Sequence, residues 1–509
     1  MALEPVDRHP WEPDVSFDGG DLDCGNGLLL LIRQHLDPLA PGQLLEFRST
    51  EISVEEDFPA WCRLTHNALV SFVKAGRQRS FLVCKGPLSG RAAARPRAAP
   101  PPALLTRAVV AVSISAALPP PAPAAVIRPL AVMGIGSWPR PRWMLQAIHE
   151  HVEGRLPDAD FEATGDDAVR LAVAAQLRSG VDVVTDGEQR RDNYASFVGG
   201  RLDNCQLIPL TDLLPLVDDP EKFRAELQAL DVPASQVRHP AIFGPLGRSR
   251  PLAGHEAAFV RTLTDRPVKI ALPGPYLLTR MMWVECISDR VYRSREHLAE
   301  DVVRVLREEI HHLLAAGVAL VQLDEPVLSE VVFTGAKQAR SFMCGALSEK
   351  GDALEELAFA RALLESVTAG LPRERLAMHV CRGNWTRDER AALAGDYRPL
   401  LPLLAAIPVG TLFLESCTPR AGELDMLAEL PREVRVGVGV IDQKQERVEP
   451  VAEIADRARR AVALFGEDRV LLTPDCGFAT FADTPIASAD VAERKLGALV
   501  QAAEVVRRG

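Results

Sequence analysis

Eight short apolar runs follow one another after residue 129, and amphipathic helical stretches separate several of them. The apolar runs are Leu130–Ile135, Val181–Thr185, Val268–Leu272, Val318–Leu323, Leu376–Val380, Thr411–Leu414, Val434–Val440 and Arg469–Thr473. The helical stretches include Glu296–Ala316, Ala353–Ala369, Val451–Leu464 and Ser488–Arg508. Eight strand–helix units in series predict an α/β fold, the (β/α)8 TIM barrel. The sequence HPAIFGPLGRS, between the second and third runs, fits an inserted surface hairpin.

A stretch rich in proline and alanine, residues 90–129, precedes the barrel pattern. Such a composition favours an extended, semi-rigid spacer over a folded domain. The apolar patch from Ala108 to Leu118 fits either a strand on a neighbouring element or part of the spacer, and we favour the spacer. The predicted division is a small domain at 1–89, a linker at 90–129 and a barrel at 130–509.

The small domain carries two helical and two strand patterns. The helical patterns are Leu28–His35 and Phe58–Leu69, and the strand patterns are Gln43–Arg48 and Ser80–Lys85. Helices that pack on a small sheet form an α+β two-layer sandwich, which is the fold class expected for the N-terminal domain.

Composition excludes several classes of function. Of 509 residues, 47% are hydrophobic and 25% are charged, and the net charge is −11. This balance is typical of a globular protein, and it argues against a nucleic-acid partner, which would favour a basic surface. No apolar run reaches the roughly 20 residues of a membrane-spanning helix, and the polar, acidic start differs from a signal peptide. Nine scattered cysteines indicate reduced thiols, so we expect a cytoplasmic protein without a membrane partner.

Residues of the kind that bind metals follow three of the apolar runs. The fifth run leads into His379 and Cys381, the sixth into Glu415 and the eighth into Cys476. Catalytic groups of such barrels lie at the carboxyl ends of the strands, and residues two apart on a strand share a face. An imidazole, two thiolates and a carboxylate form an ordinary zinc set. These residues alone fit a zinc site or a structural alternative, in which a packed histidine, buried thiols and an ion-paired Glu415 fill the barrel end.

Seven segments resemble, in the right order, the catalytic half of cobalamin-independent methionine synthase. They are GIGSWPRP, DVVTDGEQRRDN, VQLDEPVLSE, MHVCRGN, LFLESC, GVGVIDQK and LLTPDCGFAT, spread over about residues 130–509. The resemblance implies a methyltransferase that moves a methyl group to the thiol of homocysteine and forms methionine. It also implies Zn²⁺ as the cofactor, with the ligands His379, Cys381, Glu415 and Cys476. Zinc makes chemical sense because it removes the proton of a bound thiol and leaves the sulfur nucleophilic.

Homocysteine carries an ammonium group and a carboxylate besides its thiol, so its pocket needs buried anions and amide donors. Glu188 follows the second run and Asp324 the fourth, which places both at the active end of the predicted barrel. Backbone N–H groups near Ile135 and Ser137 are suited to a carboxylate. The resemblance implies that these four residues contact homocysteine. The alternative for the two carboxylates is ion pairing at the barrel mouth.

Two departures from the family concern the methyl donor. Full-length members carry a second barrel before the catalytic one, whereas residues 1–129 are too few for one. The motif GVIDQK places Lys444 where those enzymes have a histidine that acts on the leaving folate. Lys444 and the nearby Asp442 are therefore the candidate catalytic residues. The donor is a methyl-folate or a methyl-corrinoid protein, and some related barrels use epoxides.

Residues 18–86 resemble the small sulfur-carrier proteins of the TusA family. The resemblance lies in LDCGNGLLLLIRQHLDPLAPGQLLEF and DFPAWCRLTHNALVSF. That family uses a cysteine at the start of the first helix, where the helix N-terminus lowers the thiol pKa and a persulfide forms. Cys24 occupies this place, but the prolines of the family's Cys-Pro-x-Pro motif are missing. The domain is either a sulfur carrier, which needs a sulfur-transfer protein as partner, or a docking module.

Three functions are therefore open from the sequence. The first is zinc-dependent methyl transfer to homocysteine. The second is zinc-dependent alkyl transfer to another thiol such as coenzyme M, which has no amine and would leave Glu188 and Asp324 without a cation. The third is a sulfur relay, in which Cys24 carries persulfide on a domain that the linker lets reach the barrel mouth.

Overall fold

The computed structural model describes residues 6, 8–24, 27–76, 78–88, 109–115, 117–209, 238–283, 288, 291–333, 351–385, 387, 389, 392–422 and 424–508. None of the helices within these residues is both long and apolar enough to cross a membrane. Buried apolar side chains of the first 88 residues form clusters of their own, apart from Leu30, which belongs to the large cluster of the barrel.

The N-terminal part is a four-stranded sheet with two helices. The strands are β1 (Val15–Asp18), β2 (Leu44–Ser49), β3 (Ala68–Ala75) and β4 (Gln78–Cys84), in the order β1-β2-β4-β3, and the helices are α1 (Leu28–Leu36) and α2 (Val54–Leu64). Alternation along the strands turns Phe47 and Phe81 to the same face, where their rings stack 5.1 Å apart and pack with both helices.

Helix α2 ends earlier than the sequence predicts. The predicted helix Phe58–Leu69 stops at Leu64, because the chain turns at His66, whose φ is 57°, and enters β3 at Ala68. A non-glycine residue with positive φ cannot continue a right-handed helix.

Six of the eight predicted runs form one parallel sheet in chain order. Its strands are β7 (Lys269–Pro273), β8 (Leu320–Asp324), β9 (Leu376–Val380), β10 (Thr411–Leu414), β11 (Arg435–Ile441) and β12 (Val470–Pro474). The first two runs join both edges of this sheet through single parallel bridges. The bridges are Val132–Leu472, Met133–Val183 and Val184–Val268. The eight runs therefore lie in one ring of parallel pairs, a TIM-barrel-type α/β arrangement.

Helices accompany the strands of this ring. They are α3 (Arg142–Val152), α4 (Asp158–Ser179), α5 (Gly254–Leu263), α6 (Pro275–Met282), α7 (Arg295–Ala315), α8 (Val327–Phe333), α9 (Ala353–Thr368), α10 (Leu401–Ala406), α11 (Val451–Phe465) and α12 (Ala489–Arg507). Side chains of Ser294, Asp352 and Ser488 accept hydrogen bonds from backbone N–H groups at the starts of α7, α9 and α12. These caps satisfy donors that a helix leaves free at its first turn.

An antiparallel pair of strands follows the second run. Strand β5 (Asp203–Pro209) pairs with β6 (Arg238–Gly247), which contains most of the sequence HPAIFGPLGRS. The sequence HPAIFGPLGRS, predicted as a surface hairpin, is thus one strand of this pair, and most of that strand is buried.

The described residues of the linker lie against the barrel. Val110 donates to Asn204 Oδ1 at 2.9 Å and accepts from Asn204 Nδ2 at 3.0 Å. Ala122 donates to the carbonyl oxygen of Leu314 at 3.1 Å, and Ile127 is buried among strand residues. The apolar patch forms no strand within 109–115, and Val109, Val110 and Ile114 are more than half exposed, which fits the favoured spacer. The backbone of Val110 nevertheless bonds to a distant element, which composition alone does not reveal.

The N-terminal sheet domain also contacts the barrel. Leu30 of α1 is fully buried in the barrel's apolar cluster, and Gln206 of β5 donates to the carbonyl oxygen of Arg33 at 3.0 Å. The domain is thus seated on the inserted strands, which differs from the expectation that the linker carries it freely to the barrel mouth.

Candidate metal centre and substrate pocket

Three of the four predicted metal ligands converge at the carboxyl end of the barrel strands. The ligand atoms of His379, Cys381 and Cys476 lie within 4.8 Å of one another, and all three residues are buried. His379 belongs to β9, Cys381 directly follows that strand, and Cys476 follows β12. The convergence has the geometric reason that the sequence indicates, because strand ends of a barrel meet on one face.

The His379 ring is oriented for a metal. Its Nδ1 lies 3.2 Å from the carbonyl oxygen of Phe413, which accepts a hydrogen bond only if Nδ1 carries the proton. The other nitrogen, Nε2, then holds a lone pair, and it is buried without a hydrogen-bond partner among the described residues. A backbone carbonyl behind a ligating histidine is a common arrangement of metal sites. The residues present therefore fit a bound Zn²⁺.

The pKa values of the Cys381 and Cys476 thiols are shifted in opposite directions. The proximity of Cys476 and of His379 holds the pKa of the Cys381 thiol well below its ordinary value, although burial opposes this shift. The same contact with Cys381 raises the pKa of Cys476. The site thus favours a thiolate on Cys381, and a thiolate is the form that binds zinc.

Glu415, the fourth predicted ligand, is fully buried but held by arginines. One carboxylate oxygen pairs with the Arg420 guanidinium, and the other accepts from the backbone N–H of Arg382 at 3.0 Å. Arg420 also pairs with Glu389 at 3.1 Å. Among the described residues, Glu415 is not part of the group whose ligand atoms lie within 4.8 Å of one another.

Asp475 fixes the backbone beside the centre. Its Oδ1 accepts hydrogen bonds from the N–H groups of Ser416 and Cys417, both at 2.9 Å. Burial raises the pKa of the Asp475 carboxyl well above its ordinary value. These bonds hold the loop after β10 to the loop after β12, so Glu415 and Cys476 keep their relative places.

A small cavity adjoins the three convergent ligands, and all four predicted substrate residues line it. Its lining consists of Ile135, Ser137, Glu188, Tyr194, Asp324, Pro326, His379, Cys381, Trp385, Cys476, Gly477 and Thr480. The three convergent metal-ligand residues and the four predicted substrate residues therefore line the same cavity.

Glu188 enters this cavity at a cost in free energy. Its φ is 55°, an unfavourable value for a residue with a side chain, and its buried Oε2 has no hydrogen-bond partner among the described residues. A β-carbon at Gly136 would overlap the Glu188 carboxylate, so glycine is needed there. Burial also raises the pKa of Glu188. A strained, buried and unpaired carboxylate favours a cationic ligand.

Asp324 is supported by two buried polar residues that the sequence analysis missed. Its Oδ1 accepts from Gln322 Nε2 at 2.6 Å, and Gln322 Oε1 accepts from Lys269 Nζ at 2.7 Å. Burial raises the pKa of Asp324 to about 7 and lowers the pKa of Lys269 to about 7. The signal in the sequence is a polar residue inside an apolar strand, two positions before Asp324 and hence on its face.

Aromatic rings form another part of the wall that the sequence analysis missed. Tyr194 and Trp385 both contact Phe481 edge to face, with ring centroids 6.3 and 6.2 Å apart. Each follows a predicted site residue by a few positions, Tyr194 after Glu188 and Trp385 after Cys381. Proximity to those residues is the signal that points to them.

Lys444 and Asp442 are not among the described residues that line the cavity. Lys444 Nζ donates to Glu389 Oε2 at 2.6 Å, and Asp442 Oδ1 accepts from the backbone N–H of Lys444 at 2.9 Å. Burial raises the pKa of Asp442. Both side chains are thus engaged in local contacts next to the metal-type centre.

Cys24 lies in the core of the N-terminal domain, four residues before α1 begins at Leu28. It is 5% exposed. Burial, with smaller contributions from Asp57 and Asp23, raises the pKa of its thiol to about 12. The direction is opposite to the lowering that the sequence analysis expects from a helix N-terminus, because Cys24 is buried and lies beside two carboxylates.

A buried histidine–dithiol group that could hold a metal ion, beside an acidic pocket at the carboxyl end of parallel strands, is typical of an enzyme of the TIM-barrel type that acts on a thiol. The sequence profile described as "Cobalamin-independent synthase, Catalytic domain" matches residues 130–504. The chain belongs to this family.

Individual relatives cover the same part of the chain. The methionine synthase of Saccharolobus solfataricus is 26% identical over 375 residues, which make up 73% of this chain and 93% of that protein. The methionine synthase of Sulfurisphaera tokodaii is 26% identical over 374 residues, or 73% and 91% of the two chains. The structure of a B12-independent methionine synthase from Shewanella sp. W3-18-1, in complex with selenomethionine, is 25% identical with a TM-score of 0.56 and covers 75% of this chain and 98% of that one.

Proposed function

We propose that this protein is a methyltransferase that transfers a methyl group to the sulfur of homocysteine and forms methionine. One observation carries the proposal: a single cavity joins the ligand set His379, Cys381 and Cys476 to the buried carboxylates of Glu188 and Asp324. Such a cavity fits a substrate with a thiol at one end and an ammonium group at the other. The relatives named methionine synthase support the same reaction.

The residues of the cavity divide the work between the two ends of homocysteine. When bound, zinc supplies Lewis acidity, which lowers the pKa of the substrate thiol and keeps its sulfur nucleophilic. Glu188 and Asp324 bind the ammonium group, and Ser137 lies where it can bind the carboxylate. Tyr194 and Trp385 exclude water, which strengthens the charge interactions inside the cavity.

We propose His379, Cys381, Glu415 and Cys476 as the zinc ligands. The fit of the first, second and fourth is supported by their convergence and by the free Nε2 of His379. For Glu415, support comes from its complete burial beside them and from the loop contact through Asp475. Because the Glu415 carboxylate is paired with Arg420, it is the least available of the four proposed ligands.

The methyl donor in this proposal is a methyl-folate or a methyl-corrinoid protein. Lys444 and Asp442 are the proposed residues for protonating a leaving folate, and the buried Lys444 pairs with the partly exposed Glu389, which also pairs with Arg420. Coenzyme M is disfavoured as the thiol substrate, because its sulfonate would meet the two carboxylates of the cavity.

We further propose the division into a TusA-like domain at 1–89, a linker at 90–129 and a complete (β/α)8 barrel at 130–509. The ring of eight paired runs and the four-stranded sheet with two helices support this division. For the N-terminal domain, the burial of Cys24 and the packing of Leu30 favour docking over sulfur carriage.

A mass-spectrometric assay tests the proposal. Zinc-loaded protein is incubated with homocysteine or coenzyme M and with deuteromethyl-labelled folate, folate polyglutamate or methyl-corrinoid protein. We expect labelled methionine with one donor and none in Cys476→Ser. Labelled coenzyme M without labelled methionine would contradict the proposed substrate.

A further inference from the structure

We propose that Lys269 and Gln322 are positioning residues that orient Asp324 and thereby set the preference of the cavity for a thiol that carries an ammonium group. This inference rests on the proposed function, in which Asp324 binds the ammonium group of homocysteine. Neither residue lines the cavity; both act through residues that do.

Lys269 and Gln322 stand on neighbouring strands below the cavity. Strands β7 and β8 pair in parallel, with Ala271 opposite Gln322. Both polar side chains are 0% exposed. Lys269 Nζ donates to Gln322 Oε1 and to the carbonyl oxygen of Ile135, each at 2.7 Å. The ammonium group also lies 4.4 Å from the centre of the Phe413 ring, so every direction of the lysine head is engaged.

Stability alone does not account for this lysine. Burying an ammonium group costs several kcal/mol, and an apolar side chain of similar volume at such a place is often neutral or stabilising. The buried lysine instead orients the Gln322 amide. Because a lysine offers donors only, it fixes the Gln322 amide with its oxygen toward Lys269 and its NH₂ group toward Asp324.

The contacts form a chain that ends at two cavity residues. Gln322 Nε2 donates to Asp324 Oδ1 at 2.6 Å, which restrains the carboxylate before any ligand binds. The second bond of Lys269 restrains the backbone at Ile135, on the other side of the cavity. A carboxylate that is already ordered loses less conformational entropy when it binds an ammonium group.

Glu188 provides a contrast within the same cavity. Its Oε2 has no hydrogen-bond partner among the described residues, and the unusual backbone at φ 55° determines where its side chain begins. The two carboxylates are thus placed by different means, Glu188 by its backbone and Asp324 by the Lys269–Gln322 chain. Loss of the chain should therefore impair one half of the ammonium site.

Two thiols separate this role from general support of the barrel. The compound 4-mercaptobutanoate has the thiol and the carboxylate of homocysteine but no ammonium group. Calorimetric titration of zinc-loaded Lys269→Met and Gln322→Met should show about tenfold weaker binding of homocysteine, the size expected for one charge-assisted hydrogen bond. Binding of 4-mercaptobutanoate to Gln322→Met should change less than about twofold, since this thiol has no ammonium group to lose a bond. Its binding to Lys269→Met should weaken less than that of homocysteine, because only the restraint on Ile135 is lost for it.

A third variant keeps the test valid if removal of a buried polar group weakens folding. Gln322→Glu preserves the acceptor for Lys269 but removes the donor toward Asp324. It should therefore lose the preference for homocysteine while keeping a contact to Lys269 that supports the strands.

Lys495→Met is the matched control. Lys495 is also 0% exposed and donates to the carbonyl oxygens of Asp442 and Arg447 and to Glu449 Oε2, at 2.9, 2.6 and 2.8 Å. It does not line the cavity. This variant should lower Tm, as the test variants do, while the ratio of the two affinities stays that of the unaltered protein.

The outcomes separate the inference from the proposed function. Equal weakening of both thiols in the test variants would show a merely structural role and overturn the inference. An unchanged preference for homocysteine in these variants would overturn it as well, while the proposed function stands. If the unaltered protein itself shows no preference for homocysteine, both the ammonium site and its positioning residues are wrong.

Discussion

Two side chains of the cavity, Glu188 and His379, each bury a polar atom that has no hydrogen-bond partner among the described residues. Asp324 and Lys269 are also buried there, but both form hydrogen bonds with Gln322. Each unpaired polar atom costs about 1–3 kcal/mol relative to a satisfied one. The barrel end is therefore less stable than its packing would allow, and a ligand that pairs with these atoms would stabilise it.

Zinc content tests the centre directly. We expect about one zinc per chain, and His379→Ala or Cys476→Ser should empty the site, because only two of the three convergent ligands then remain beside Glu415, which is paired with Arg420. Elemental analysis of the purified variants measures this. The control is Cys62→Ser, since Cys62 is a buried thiol of the N-terminal core. Full zinc occupancy in both site variants would refute the centre.

Asp324→Asn should weaken homocysteine binding by about 1.5–3 kcal/mol, the typical value of a hydrogen bond to a charged group. The substitution keeps the shape of the side chain but removes its negative charge. Titration with 4-mercaptobutanoate is the control, and its affinity should hardly change. If both thiols lose affinity equally, Asp324 supports the barrel and does not bind the ammonium group.

His239 gives the fold a defined response to acid. It lies in β6, is 1% exposed, and burial lowers its pKa from 6.5 to about 4. Below pH 6.5 the unfolded chain takes up a proton that the folded chain refuses, so stability is complete above this pH and falls toward pH 4. At pH 5 the expected loss is roughly 2 kcal/mol, from about 1.4 kcal/mol per pKa unit.

Urea unfolding at pH 7.5 and pH 5 measures this loss. His239→Phe should reduce the difference between the two pH values by the stated amount, whereas replacement of the exposed His312 on α7 should leave it unchanged. An unaltered pH difference in His239→Phe would assign the acid response to other groups.

Single residues were predictable where one strong rule applies. The rule that strand ends carry the chemistry points to His379, Cys381 and Cys476, because His379 lies at the end of an apolar run and the two cysteines lie shortly after one. Lys269 and Gln322 escaped because a polar residue within an apolar strand does not disturb the strand pattern. The ion pair of Lys444 was also beyond reach, since Glu389 lies 55 positions away in the sequence.

Among the elements, strands of the ring were predicted better than those of the N-terminal sheet. The runs Leu376–Val380 and Thr411–Leu414 coincide with β9 and β10. Strands β1 and β3 were missed, because both lie at an edge of the sheet and are only partly buried, and β1 has only four residues. How well a strand can be predicted depends on its position in the sheet, which the local sequence does not encode.

The described residues of the linker contact the barrel, and a substitution of one buried side chain tests whether they stabilise it. Ile127 is 8% exposed and packs with strand residues, whereas its neighbour Val126 is 91% exposed. Ile127→Ala should lower the free energy of unfolding by about 2–4 kcal/mol, as expected for a buried aliphatic side chain. Val126→Ala should change it by less than about 0.5 kcal/mol. Similar small effects of both substitutions in chemical denaturation would mean that the segment does not contribute to the core.

At the scale of the whole molecule, the N-terminal domain is expected to serve docking. Cys24 is buried with a pKa of about 12, so little thiolate is present at neutral pH. We therefore expect no persulfide on Cys24 when the intact protein is mixed with a cysteine desulfurase and sulfur donor, as measured by mass spectrometry after alkylation. A genuine TusA-type carrier in the same mixture is the positive control. Persulfide on Cys24 would restore the sulfur-carrier interpretation.

The contacts of residues 109–129 also determine how tension would travel through the molecule. A pull on the N-terminal domain first meets the contacts of Leu30 and Arg33 with the barrel and its inserted strands. Along the linker it then meets the paired hydrogen bonds between Val110 and Asn204, the bond from Ala122 to Leu314 and the buried Ile127. Only after these have yielded does the force act on the first run of the barrel, which begins at Leu130. The contacts thus shield this run, and with it Ile135 and Ser137 in the cavity, from movements of the domain attached in front.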